Sequence, residues 1–279
     1  FKKIVIANNL YEPVSRLYSG VHNYTGIPIL IVLFVQIVYI YFDFSGYTDM
    51  ALGSAKIFGI NLADNFNRPF LARNISDFWR RWHISLSSWC NDFIYNPFIV
   101  KFRRFGNRAV ILGIFITFFI VGIWHGANWT FVILGLLQGI AIVYEFYTKR
   151  FRLKAASRLP KSIVNTLSRL LVFLFMSVSM IFFFSNSVSD AWYFLFHLFD
   201  RIRFNWEEVS FINRKPEFLF ALFCFVIFFI IEMLNEKGKD LLSLYLKQPV
   251  WIRWAGYLAC LLLIYFFRSD IGTFYYTRF

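Results

Sequence analysis

The sequence predicts an all-α fold, a polytopic transmembrane helical protein, and two observations carry that prediction. Hydrophobic residues make up 58% of the 279 positions and charged residues only 16%, and the mean hydropathy is +0.56, far from an ordinary soluble domain. The apolar residues gather in successive long stretches, with lysine and arginine concentrated in the short segments between them. A helix of roughly 20 apolar residues crosses a hydrocarbon layer about 30 Å thick while satisfying its own backbone polar groups.

The charge pattern sorts the partners. A formal net charge of +13 on a soluble protein would point to nucleic acid. Here the cations sit at the ends of apolar stretches, most densely in KFRRFGNR (101–108) and TKRFRLKAASRLPK (148–161). That is the positive-inside pattern of membrane proteins. With no continuous basic face outside such loops, nucleic acid is excluded and the lipid bilayer is the expected surrounding. Cys90, Cys224 and Cys260 show no CxxC or Cys/His spacing, so they read as small apolar fillers, and neither a disulfide framework nor a metal site is expected.

Taken in order, residues 1–25 mix Lys2, Lys3, Glu12 and Arg16 with apolar residues and are expected to form an interfacial amphipathic segment. FKKIVIANNL reads as the interior of a longer protein, so further spans are expected before Phe1. The first clear span is 27–42. In FDFSGYTDMALGSAKIFGINL, Asp43 and Asp49 bracket a Ser-Gly pair expected to turn, with Ser45 or Thr48 capping the helix that follows. Ala51, Ala55 and Gly59 recur in that helix every four residues, a small-residue stripe expected to admit a neighbouring helix.

ADNFNRPFLARN is a polar connection. Ser76 then reads as an N-cap with Asp77 in the first turn, opening one helix through DFWRRWHISLSSW. At about 100° per residue, Trp79, Trp82, His83, Leu86 and Trp89 share one face, with Arg81, Ser85 and Ser88 on the other. Beyond the basic segment, 109–124 and 130–144 contain no charged residue and form an antiparallel pair if both basic loops are cytoplasmic. The span 163–184 carries Arg169 about two turns inside its start, expected to snorkel to the cytoplasmic surface. Residues 185–217 are not basic overall, fit the outer side, and place His197 in interfacial packing. The spans 218–234 and 254–267 flank a net-basic connection.

The sequence is organised around FITFFIVGIWHGANWTFVILGLLQ (115–138). His125 lies at the GANW break between two uncharged runs. It reads either as the tip of a hairpin, with Trp124 and Trp129 as interfacial belt residues, or as a functional intramembrane histidine. The motifs GxSxG, GxxxxGK[ST] and HExxH are absent. What remains is His83 and His125, each among tryptophans. Histidine is the side chain suited to take a proton near neutral pH. A base that deprotonates a hydroxyl for attack on an activated acyl group needs neither metal nor covalent intermediate.

In order, FDFSGYTDMALG, NFNRPFLARNISDFWRRWHISLSSW and GIWHGANW resemble the membrane-bound O-acyltransferase family. The likeness is densest over 42–138 and lies with the bacterial branch of alginate and peptidoglycan O-acetyltransferases. The D-alanyl transfer protein of teichoic acids is a more distant relative, and the terminal FYYTRF also resembles the branch. The resemblance implies one integral membrane O-acyltransferase domain over 1–279, in the bacterial cell (inner) membrane. His125 and His83 are its implied catalytic residues: His125 the base or the group that orients the hydroxyl, His83 the group that holds the donor or assists proton transfer. Trp124, Asn128, Trp129 and Trp82 are the implied substrate-binding residues.

No bound cofactor or metal is implied. The resemblance implies that the donor is acetyl-CoA or another acyl thioester reaching the site from the cytoplasm. It implies an acceptor hydroxyl on the outer side, on an exported or cell-envelope polysaccharide or on an exported transferase of the SGNH type. After SLSSW the sequence departs from the branch: CNDFIYNPF and KFRRFGNR stand where Arg-Asp-Tyr and a Gly-Gly-Asn turn are usual, which leaves the acceptor open. Two other classes compete: a transporter or flippase-like protein without acyl chemistry, and a structural subunit in which both histidines are dispensable.

Overall fold

The computed structural model describes residues 1–200, 202 and 209–269. Its helices are α1 (Asn8–Ser19), α2 (Ile27–Ile57), α3 (Ile75–Trp79), α4 (Ile84–Cys90), α5 (Asn96–Lys101), α6 (Asn107–His125), α7 (Trp129–Ala156), α8 (Lys161–Phe184), α9 (Val188–Phe196), α10 (Lys215–Glu236), α11 (Leu241–Leu246) and α12 (Val250–Phe267). Among the described residues α2, α6, α7, α8, α10 and α12 are long and apolar enough to cross a membrane, as the hydropathy pattern requires. The chain divides into two compact units. One is built from Phe1–Ile60 and the described residues from His197 onward, the other from Asn61–Phe196.

In the first unit the N-terminal segment is amphipathic, as expected. Lys2–Ala7 form a π-helical turn leading into α1, and Ala7, Leu10, Val14 and Leu17 are all but inaccessible. Their spacing of three and four places them on one buried helical stripe. The predicted Ser-Gly turn is absent, because α2 runs unbroken through it. Gly46 serves a different purpose: a Cβ there would lie 2.9 Å from the backbone nitrogen of Lys3, so the N-terminal turn lies directly on the helix. That contact brings Lys3 to the fully buried Asp43 and Lys2 to Asp49 at 2.8 Å. A carboxylate at Asp43's depth is tolerable only with such a partner.

Thr48 Oγ1 donates to the Phe44 carbonyl at 2.9 Å, a bond within the helix and not a cap. Among the described residues the small-residue stripe is only partly covered. Ala51 and Ala55 are half-buried, and Gly59 lies past the helix end, at φ 72°, with open space where a Cβ would stand. Tyr41 Oη donates to Glu232 at 3.1 Å, tying α2 to α10. The His197 carbonyl accepts from Gly26 N at 2.9 Å, fixing the start of α2. Arg201, Arg203, Glu207, Glu208 and the terminal GTFYYTRF fall outside the described residues.

In the second unit α6 and α7 form the expected antiparallel pair. Their contact register shows it: Gly122 meets Phe131, Gly135 meets Phe118, and Gly139 meets Phe115. A Cβ on Gly122 would stand 2.5 Å from the Phe131 carbonyl oxygen, and one on Gly135 would overlap the Phe118 carbonyl. These glycines, with the GLLQG spacing of 135–139, let the two backbones touch. Close helix packing therefore resides here and not in the Ala51–Gly59 stripe. Arg169 Nε donates to the Leu71 carbonyl at 3.3 Å and holds the Pro69–Leu71 turn against α8.

Candidate functional site

The predicted single helix through DFWRRWHISLSSW is two short helices with a break at His83. The polar connection before it causes the break. Asn67 N donates to the Arg81 carbonyl at 2.9 Å, and Ile84 N donates to the Asn65 carbonyl at 3.0 Å. Phe66 and Trp82 form an isolated antiparallel bridge, and Asn65 Oδ1 accepts from Ser85 N at 3.1 Å and Ser85 Oγ at 2.6 Å. Backbone groups that a continuous helix would bond to itself are thus taken by residues 65–67. His83 consequently adopts the left-handed conformation, φ 46° and ψ 53°, which costs a non-glycine residue about 1–2 kcal/mol. Strain of that kind persists where the surroundings over-determine it, and it clusters at functional sites.

The helical-face argument for His83 therefore fails, yet its burial does not. His83 is buried, and its ring centre lies 6.0 Å from that of Trp124 in edge geometry. Trp124 in turn stands 4.9 Å from the ring of His125. His125 is the last residue of α6 and is enclosed further by Phe183 at 5.4 Å and Phe131 at 6.1 Å. Gly126 permits this enclosure, because a Cβ there would sit 2.6 Å from the Phe131 ring. His125 thus lies at the tip of the α6–α7 hairpin and is buried there.

The other predicted site residues divide. Asn128 caps α7, its Oδ1 accepting from Thr130 N at 3.1 Å, and its Nδ2 donates to the Asn186 carbonyl at 2.9 Å. It thereby locks the α6–α7 turn to the end of α8. Trp129 is 72% exposed and Trp124 54% exposed, so both offer indole surface at that end of the unit. Trp82 is buried, stacked on Phe78 at 5.4 Å and edge-on to Phe66 at 5.2 Å. It packs the segment behind His83.

Burial pushes His83 down to about 4 from the usual histidine value, so at pH 7 it is a neutral imidazole that can accept a proton or a hydrogen bond. Both imidazoles meet the ring of Trp124. The arrangement is a pair of buried imidazoles on one partly exposed indole, beside the end of a transmembrane hairpin. Each ring, in its neutral form, can accept a hydrogen bond from a hydroxyl.

Residues 3–185 match the model of MBOAT, the membrane-bound O-acyltransferase family. The chain belongs to that family. A peptidoglycan O-acetyltransferase of Helicobacter pylori is 37% identical over 195 residues, covering 68% of this chain and 35% of that protein. The probable alginate O-acetylase AlgI of Azotobacter vinelandii is 35% identical over 195 residues, with 68% and 36% covered. The teichoic acid D-alanyltransferase of Bacillus subtilis is 38% identical over 126 residues, 43% of this chain and 32% of that protein. The chain thus spans about a third of the length of these relatives. The matched region of this membrane-bound O-acyltransferase family member includes both histidines and the hairpin.

Sequence reasoning missed the residues that hold the site in place. Phe183 and Phe131 enclose His125, Asn65 breaks the helix at His83, and Gln138 and Glu145 on α7 anchor α3. For Glu145 a signal existed: it is the first charged residue after the uncharged run 130–144 and stands alone as an acid before a basic loop.

Proposed function

We propose that the protein is an O-acyltransferase that moves an acyl group, acetyl in the first instance, from a thioester donor such as acetyl-CoA to a hydroxyl across the membrane. The acceptor is a cell-envelope or exported polysaccharide, or an exported SGNH-type transferase that passes the group on, and the protein resides in the bacterial inner membrane. The observation that carries the reading is the pair of buried imidazoles on Trp124, with His125 at the end of α6 and His83 in a strained turn. Family membership and the relatives named O-acetyltransferase and O-acetylase support it.

In this reading His125 accepts the proton of the acceptor hydroxyl as its oxygen attacks the acyl carbon, and the donor's thiolate leaves. His83 orients the donor or assists that proton transfer. The exposed indoles of Trp124 and Trp129 line the approach. A second donor, D-alanyl, is supported by the likeness to the teichoic acid D-alanyltransferase. The test is mass spectrometry of envelope polymers from cells with the gene, without it, and with His125→Ala. Acetyl esters lost in the last two support the reading. Lost D-alanyl esters select the second donor, and an unchanged ester content in all three overturns acyl transfer.

A further inference from the structure

The segment that delivers His83 begins about two turns of α7 away from Trp79's anchor, and its start is held by one carboxylate. The first turn of α3 leaves the N–H groups of Ile75, Ser76 and Asp77 without helical acceptors. Asn74 Oδ1 takes that of Asp77 at 2.7 Å. Glu145 takes the other two: Oε1 accepts from Ile75 N at 2.5 Å, and Oε2 accepts from Ser76 N at 3.1 Å and Ser76 Oγ at 3.0 Å. At the other end of the same short helix, Gln138 Oε1 accepts from Trp79 Nε1 at 3.2 Å.

Glu145 and Gln138 are two helical turns apart on one face of α7, separated by about 10 Å along its axis. Together they hold both ends of α3, and the left-handed turn at His83 lies four residues beyond its last residue, Trp79. A helix of five residues has no stability of its own, so its position is whatever its anchors set. A negative charge at its N-terminus is also favoured by the helix dipole.

We propose that Glu145 is a positioning residue for His83: by receiving the first turn of α3 on both carboxylate oxygens, it fixes where the turn sets the imidazole against Trp124 and His125. The proposal rests on the reading of His83 as part of an acyl-transfer site. A carboxylate is required because three donors converge on it from one side. Glutamine keeps the size but offers one acceptor oxygen, and its amide N–H groups would face an N–H.

The test uses the full-length protein with Glu145→Gln and two readouts. In ¹³C-histidine-labelled protein, the His83 ring signal, assigned by its loss in His83→Ala, reports the ring current of Trp124. It is expected to move in Glu145→Gln while the signals of His22 and His197 stay in place. In parallel, kcat/KM for acyl transfer should fall by about 10- to 100-fold, the scale of a small misplacement in a reacting site. That loss should vanish in a His83→Ala background, because the two residues act through one geometry.

An unmoved His83 signal, or an equal loss in both backgrounds, overturns the proposal. If His83→Ala leaves no measurable rate, the signal decides alone. If Glu145→Gln does not fold, Ser76→Ala removes one of the three bonds and should move the same signal by less, and no movement there overturns the proposal. A His125→Ala protein with the wild-type rate would refute acyl transfer at this site without touching the signal. A dead His125→Ala protein with an unmoved His83 signal would refute the positioning role alone.

Discussion

The imidazole of His83 meets the Trp124 indole edge-on, ring centres 6.0 Å apart, although α4, α5 and nearly all of α6 lie between them in the chain. The contact depends on a backbone turn that a glycine would adopt more readily than a histidine. The position of the His83 ring therefore follows from how the backbone of its segment is held.

The burial that accompanies it has a consequence for pH. His83 is held at about 4 in the folded protein against about 6.5 in an unfolded chain. Above pH 6.5 the ring is neutral in both states, and its contribution is fully present. As pH falls from 6.5 towards 4 only the unfolded chain takes up the proton, and stability is lost, by about 3 kcal/mol at most over the whole window. The thermal midpoint in detergent should therefore drop between pH 7 and pH 4.5, and drop less in His83→Gln. Equal drops in the two proteins would show that His83 is not buried as described.

Packing offers a second prediction. Gly135 lies where a Cβ would overlap the Phe118 carbonyl, while Ala55 is only half-buried. Gly135→Ala should destabilise the protein by about 1–3 kcal/mol, the usual range for overpacking, whereas Ala55→Leu should change stability little. Thermal unfolding in one detergent compares the two. A larger loss for Ala55→Leu would place the close helix contact in the wrong unit.

Topology follows from the charge bias. The loops at 101–108 and 148–162 are expected in the cytoplasm and the connection from residue 185 outside. The bond between Asn128 and Asn186 places the α6–α7 turn and the end of α8 at the same end of the second unit, opposite the basic loops. Single cysteines at Ala155 and Asn186, both exposed, in a cysteine-free background should label differently from outside intact cells. Asn186→Cys should react with an impermeant reagent and Ala155→Cys should not. The reverse pattern inverts the orientation.

What was legible in the sequence was local. The spans could be read because hydropathy within 20 residues determines them. The place of His125 at the hairpin end could be read because a single ionisable ring stands out between uncharged runs. The break at His83 could not, because it is imposed by Asn65 and Asn67, whose bonds compete with the helix from a different segment. The continuity of α2 was hidden for a similar reason. Asp43 and Ser-Gly look like a turn until Lys3 and the N-terminal turn are laid on Gly46. Glu145 stood out as a lone acid after an uncharged run, but its partners, the Ile75 and Ser76 N–H groups and the Ser76 hydroxyl, lie about 70 residues earlier in the sequence and are not marked by any charge.

The chemistry itself is tested at His125. The ring ends α6 among Trp124, Phe131 and Phe183, so His125→Ala removes a proton acceptor while leaving the helix end and the Gly126 turn intact. General-base assistance is worth about 10²–10⁴-fold in rate, and His125→Ala should lose acyl transfer on that scale while the protein keeps its gel-filtration shape. His125→Gln keeps polarity but takes no proton near neutral pH, and should be nearly as damaging. His83→Ala should also slow transfer. A rise confined to the apparent KM would assign His83 to holding the donor, and a fall in kcat would assign it to proton transfer. The measurement is acyl transfer by reconstituted full-length protein. His125→Gln at most of the wild-type rate would make His125 an orienting group and not the base. Normal rates in both alanine variants would remove the enzymatic reading of this site.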